Sequence, residues 1–160
     1  MTLPVFRYHP DPIGSGSLIE SDQVCRACGK ARGYLYTGPV YSEEELDDVL
    51  CPWCIADGSA HKKFDAIFVD TEAFDEEAPP AAVNEITERT PGFNSFQSEA
   101  WPACCGDATA FLAPAGIQNL REQPELERLA LNHIIYQIGI SGGAATRFLN
   151  SLQRDNGPTA

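Results

Sequence analysis

The apolar positions at the start of the chain carry no period. From Leu3 to Gln23, Pro4, Pro10 and Pro12 block helix and Gly14 and Gly16 permit turns, so this stretch reads as an irregular segment wrapping the surface. The first clear alternation is GYLYTGPVY, which predicts two short strands joined at Thr37-Gly38-Pro39. SEEELDDVL then offers Ser42 as an N-cap and Glu45 at the capping-box position, predicting a short acidic helix that delivers Cys51. After Cys54, IADGSAHKKF fits a short helix running toward Lys63, and FDAIFVD, from Phe64 to Asp70, fits a strand. AVNEITER, from Ala82 to Arg89, reads as a short amphipathic helix ended by Thr90-Pro91-Gly92. ATAFLA reads as a buried strand. Beyond Gly116 the pattern turns helical, with an apolar stripe including Leu126, Leu129, Ile134 and Ile138, Pro124 suited to a first turn, and a last short helix in SGGAATRFLNSLQR.

This order of elements predicts an α+β fold without internal repeats or low-complexity tracts. The expectation is an N-terminal treble-clef or ribbon-like zinc module, with the irregular segment, over residues 1–70. It packs on a small mixed α/β region with C-terminal helices over residues 71–160. With 160 residues, 43% of them hydrophobic, the chain can also form one compact domain with a metal-bound part.

The chemistry that stands out is sulfur. Cys25 and Cys28 in VCRACGK and Cys51 and Cys54 in LCPWCIADG form two C-x2-C pairs, and four thiolates without an open coordination position are what a structural zinc site uses. The glycine after Cys28 relaxes the backbone so that amide N–H groups can turn toward the thiolates. A knuckle, a hairpin, then a pair leading into a helix is the treble-clef order. The rival reading is a redox dithiol in CPWC, activated at a helix start, but such a dithiol has no use for a second pair at ribbon spacing.

Charge narrows the function classes. Eleven basic residues against 23 acidic give a net charge of -12, and zinc-bound thiolates would make it about two units more negative. A surface this acidic disfavours nucleic acid and attracts a basic protein partner. No stretch approaches the roughly 18 apolar residues of a membrane span, and MTLPVFRYHPDP has no apolar signal-peptide core, so the chain is expected in the cytoplasm, where paired cysteines stay reduced.

Other candidates divide between ordinary and functional readings. Asp75, Glu76 and Glu77, in an acidic run ahead of Pro79-Pro80, read as a solvated connection or as a docking surface for a basic partner. Phe93, Phe96 and Trp101 read as a loop anchored on the core or as a partner-binding cluster. Cys104 and Cys105 read as inert core thiols, as part of a second metal site, or as a nucleophilic or redox thiol, used with Asp107 in the enzyme reading. Adjacent cysteines on an extended chain point to opposite faces. His9, His61 and His133 fall in separate segments and read as structural or surface residues, His61 being close enough in sequence to Cys54 to approach the metal as an outer hydrogen-bond donor. No H-x-x-x-H pair, G-x-S-x-G elbow or phosphate loop is present, so no catalytic residue is assigned.

The blocks LPVFRYHPDP, CRACGKARGYLYTGPVYS, LCPWCIADGSAHKKFD, ERTPGF and W…CCGDATAFL together resemble the CbrC family of bacterial proteins, from Leu3 to about Gly116. The resemblance implies a bacterial protein with the four cysteines at the family's metal-type motif, a link to colicin tolerance, and no established reaction. It also implies members that run past this length into another cysteine-bearing segment, so the chain is expected to be a shortened form in which Cys104 or Cys105 has lost companions. The preferred expectation is a non-enzymatic, zinc-stabilised interaction protein. Its alternatives are an acidic, immunity-like antagonist of a basic toxin or nuclease domain and a thiol-redox protein or Cys-dependent enzyme.

Overall fold

The first strand forms where the sequence reads as irregular. In a computed structural model, which describes residues 2–95 and 99–153, strand β1 (Leu18–Val24) pairs antiparallel with strand β2 (Ala31–Tyr36). Leu18 lies opposite Tyr36 and Val24 opposite Ala31, with a bulge between Ser21 and Val24. The polar run IESDQ hides this strand because Leu18 alone turns into the core, leaving no alternation to read. The opening segment also does not wrap the surface: Phe6, Tyr8 and His9 are all buried.

Because β1 and β2 are partners, the hairpin loop is residues 25–30, the first cysteine knuckle, and not Thr37-Gly38-Pro39. The Thr37 N–H instead bonds Ser17 O, and Tyr41 bridges Ile67. The expected acidic helix is absent from 42–50. Ser42 Oγ accepts from the Glu44 N–H at 3.2 Å and donates to Phe64 O at 3.1 Å, giving the backbone a local alternative to helix, and Asp48 has φ +55°. This loop nevertheless buries Leu46 and Leu50, and the Tyr36 N–H bonds Leu50 O at 2.9 Å, which brings Cys51 to the end of β2.

Helix α1 (Pro52–Ala56) starts at the second cysteine pair with Pro52 in its first turn, where its missing N–H costs nothing. Gly58, at φ +74°, separates it from α2 (Ser59–Phe64), so the single expected helix is two. Residues 64–70 are not a strand: Ile67 makes one bridge, and the Phe68 N–H goes to Thr87 O in α3 (Pro80–Arg89), which forms as expected. A short hairpin, β3 (Ala103–Cys104) with β4 (Asp107–Ala108), follows. The expected buried strand at 108–113 is only this stub, and Leu112 is 69% exposed.

The chain falls into two compact units divided between Ala113 and Pro114, so residue 70 lies inside the first. The first unit has two neighbouring cores. One gathers Phe6, Leu18, Leu35, Leu50, Ile55 and Phe68 around the cysteines, and the other gathers Tyr8, Val69, Ile86 and Trp101. The second unit holds α4 (Ile117–Arg121), α5 (Pro124–Tyr136) and α6 (Gly142–Ser151), packed around Ile117, Ile134, Ala145 and Leu149. Pro124 does open α5, but Leu126, Leu129 and Ile138 are exposed. Two short helices cover only a narrow stripe of α5, and Ala130, Leu131 and Ile135 pack there beside Ile134. The described residues therefore make a mixed α and β structure of six α-helices and two two-stranded sheets. No helix among them is long and apolar enough to cross a membrane.

Candidate metal centre

The two C-x2-C pairs converge. The β1–β2 hairpin presents Cys25 and Cys28, and the N-terminus of α1 presents Cys51 and Cys54. All four sulfurs lie within 4.8 Å of one another. Cys25 Sγ is 3.9 Å from Cys54 Sγ, Cys28 Sγ is 3.9 Å from Cys51 Sγ, and Cys51 Sγ is 3.5 Å from Cys54 Sγ. Cys25, Cys51 and Cys54 are buried, and Cys28 is half-buried. Four cysteines set this closely can hold a metal ion.

The first knuckle is shaped locally. The Cys25 N–H bonds Lys30 O, the Gly29 N–H bonds Cys25 O, and Gly29 adopts φ +69°, a conformation that disfavours any side chain. The Arg26 N–H bonds Val49 O at 2.8 Å, and Lys63 Nζ from α2 reaches the carbonyls of Arg26 and Ala27, so the second half of the site braces the first.

The sulfurs are electrostatically unequal. A hydrogen bond from Cys51 holds the Cys25 thiol down at about 4, against burial, and the N–H groups of Cys28, Cys51 and Ala27 help. The same pairing drives the Cys51 thiol far up, and burial pushes Cys54 to about 11. One thiolate is favoured while Cys51 and Cys54 hold their protons, which is how crowded sulfurs behave until a cation lets them ionise.

The other candidates are scattered. His61 turns its Nδ1 to Ala66 O at 3.0 Å and its Nε2 toward Glu88, away from an outer role at the sulfurs. His9 is fully buried. Its Nδ1 lies 2.7 Å from Pro91 O and so donates, which leaves Nε2 to accept from Ser15 Oγ at 2.8 Å. His133 is exposed on α5. Trp101 is 1% exposed, which removes its ring from any surface where a partner docks, and Phe93 stacks on Phe111 at 3.6 Å between centroids. Phe96 lies outside the described residues. Asp75, Glu76 and Glu77 are exposed, Asp75 also accepting from the Ala103 N–H. Cys104 and Cys105 are exposed, so they are not core thiols. Their sulfurs sit together, not on opposite faces, because Cys105 has φ +59°.

Sequence reasoning missed Tyr36 and Glu99. Tyr36 is fully buried, its hydroxyl donating to Pro39 O at 2.8 Å and accepting from the Gly92 N–H at 3.0 Å. Glu99 is 7% exposed; its Oε1 accepts from the Phe93 N–H at 2.8 Å, and its Oε2 has no partner among the described residues. Burial raises this carboxyl to about 7. Glu99 lines a cleft of about 310 Å³ with Tyr41, Asp70 and Phe93. A lone glutamate in a polar loop carries no sequence signal of burial.

Comparison with known proteins places these residues in a family. A family model described as an uncharacterised protein family, UPF0167, matches residues 3–160. The chain is similar to UPF0167 proteins of Mycobacterium bovis and Mycobacterium tuberculosis, each 49% identical over 124 residues, covering 77% of this chain and 66% of the relative. It is also similar to a UPF0167 protein of Pseudomonas aeruginosa, 51% identical over 120 residues, covering 74% of this chain and 67% of the relative. The match thus spans about two thirds of these relatives' length. No solved structure matches the chain. The matching family corrects the one inferred from sequence blocks: it is UPF0167 and not CbrC, and the implied link to colicin tolerance has no support in the family description or in these relatives' names.

Proposed function

Because the chain belongs to UPF0167, whose description assigns no activity, we propose its role from its own geometry: a zinc-stabilised, non-enzymatic protein that binds other proteins. The observation carrying this reading is the spacing of the four sulfurs. A tetrahedral zinc–thiolate site with bonds of about 2.3 Å has sulfur–sulfur edges of about 3.8 Å; three of the six sulfur pairs, at 3.5, 3.9 and 3.9 Å, lie near that length, and all six lie within 4.8 Å. Cys25, Cys28, Cys51 and Cys54 would hold the ion, which supplies two positive charges and a cross-link between the hairpin and α1. Four sulfurs leave no position for substrate or water, so the role is structural and not Lewis-acid catalysis. A hairpin knuckle followed by a knuckle that opens a helix supports a treble-clef-like class for this part of the chain.

The interaction part of the reading rests on charge. A net charge of -12, with Asp75, Glu76 and Glu77 exposed together, favours a basic protein surface over nucleic acid. A pull-down with the metal-loaded protein tests it. Recovery of a basic partner should fall steeply as salt approaches about 0.5 M, where the Debye length shrinks to a few ångström, and should fall when Asp75, Glu76 and Glu77 are neutralised together. Binding indifferent to both changes contradicts the reading.

A further inference from the structure

The six cysteines of the chain fall into two classes of distance. Within the tetrad three sulfur pairs stand 3.5 to 3.9 Å apart, and all four sulfurs lie within 4.8 Å of one another. Cys104 Sγ and Cys105 Sγ stand 2.9 Å apart, inside the roughly 3.5–4.0 Å at which non-bonded heavy atoms rest and too close for the edge of a thiolate–metal tetrahedron. Such a pair is suited to bonding to itself.

The turn that brings them together is fixed by the short hairpin β3–β4. Ala103 pairs with Ala108 and Cys104 with Asp107, leaving Cys105 and Gly106 as the two loop residues, with φ of +59° and +80°. Two successive positive φ values mark the mirror-image hairpin turn, which swings Cys105 off the alternation of an extended chain. The hairpin is tied down on the far strand. Asp107 pairs with Arg7 and accepts from Tyr8 Oη at 2.8 Å, and the Thr109 N–H bonds Pro102 O at 2.9 Å. The Asp107 carboxylate is thereby committed to Arg7 and Tyr8. Both cysteines are exposed, so a reagent reaches them without opening either core.

We propose that Cys104 and Cys105 form a stoichiometric thiol–disulfide exchange site whose reaction partner is a low-molecular-weight disulfide. The Cys105 thiolate attacks one sulfur of the small disulfide, forming a protein–small-molecule disulfide and releasing the first small thiolate. Cys104 then attacks Cys105 Sγ, the Cys104–Cys105 bond forms, and the second small thiolate leaves. Two protein thiols and one small disulfide become one protein disulfide and two small thiols, the two thiol protons passing to the leaving thiolates. The order follows from the raised pKa of Cys104, caused by its hydrogen bond to Cys105 and by the charge on Cys105. Adjacent Cα atoms are about 3.8 Å apart, below the roughly 4.4 Å minimum usual for a disulfide. The closed ring is therefore strained and readily reopened by a thiol, as a reversible exchange requires. This site is independent of the metal reading.

The test treats the metal-loaded protein with oxidised glutathione and maps its linkages by mass spectrometry without reduction. The native chain should lose the mass of two hydrogen atoms, with a peptide closed between Cys104 and Cys105. Cys104→Ser should instead stop at a single glutathione adduct on Cys105. Unreacted thiols at both positions, separate glutathione adducts on each, or an unchanged product from Cys104→Ser would overturn the proposal. A linkage within the tetrad in place of Cys104–Cys105 would overturn it as well.

Discussion

The backbone N–H of Cys51 points at Cys25 Sγ across 3.3 Å, joining the two cysteine pairs before any ion is considered. Residues 26 positions apart meet because β2 ends at Tyr36, the 42–50 loop returns to pair Leu50 with it, and Cys51 follows at once. An amide dipole directed at a sulfur favours its thiolate, so the polypeptide prepares the site for a cation. Replacing either residue should remove more than a ligand. Cys25→Ser and Cys51→Ser should both abolish stoichiometric metal and loosen the β1–β2 hairpin, measured by metal analysis and amide exchange. Full metal content in either variant contradicts this.

Gly29 separates conformation from ligation. A Cβ there would meet nothing within 4 Å, so the cost of Gly29→Ala comes from its φ of +69° alone. It should destabilise the first unit by about 1 kcal/mol, the usual penalty for a non-glycine residue in the left-handed region, and leave metal stoichiometry unchanged. Denaturant titration with parallel metal analysis checks both.

Tyr36 holds together three stretches that the sequence does not connect. Tyr36→Phe strips the hydrogen-bond partner from the Gly92 N–H, which is buried at that point, and the donor from Pro39 O. A loss of about 1–3 kcal/mol is expected, the cost of leaving a buried polar group unpaired. Gly92→Ala should be worse, since its Cβ would fall 2.2 Å from Phe68 O, an atom of the backbone that cannot turn aside. Urea unfolding of the two variants should rank them in that order.

Glu99 and His9 give stability opposite slopes with pH. The Glu99 carboxyl rises from 4.5 to about 7 on folding, by burial, so the folded chain holds a proton that the unfolded chain has released. Its stabilisation is full below about 4.5 and is lost as pH rises through about 7. Glu99→Gln should therefore gain on the native chain between about pH 5 and about pH 8, by up to about 3 kcal/mol. An equal difference at both pH values contradicts the assignment. Burial lowers the His9 pKa below 6.5. Its contribution is full above 6.5 and is lost as pH falls through the lower folded value. An imidazole titration followed by NMR should place the midpoint below 6.5.

How much of this was legible in the sequence depended on whether local signals decided the matter. The cysteine spacing gave the tetrad, the amphipathic pattern stopped by Thr90-Pro91-Gly92 gave α3, and Pro124 gave the start of α5 though the apolar stripe misplaced its buried face, because ligand spacing and helix ends are written within a few residues. The strands were misplaced. β1 turns one large side chain inward, and GYLYTGPVY looks like a hairpin although its residues pair with 18–24 and with Ile67. SEEELDDVL carries helix signals that the Ser42 side chain and the positive φ of Asp48 override. The meeting of Cys104 and Cys105 sulfurs depends on two successive left-handed residues, Cys105 and Gly106, in a chain that reads as extended. Such features belong to long-range pairing and turn geometry, which periodicity does not encode.

The central claim is that a metal ion held by Cys25, Cys28, Cys51 and Cys54 keeps the first unit folded. The direct measurement is zinc content of protein purified without added metal, followed by circular dichroism and melting before and after a strong chelator. The account predicts one zinc per chain. It further predicts that removing zinc unfolds the first unit, consistent with a binding contribution on the order of 10 kcal/mol. Full metal removal with an unchanged spectrum and melting curve would contradict it.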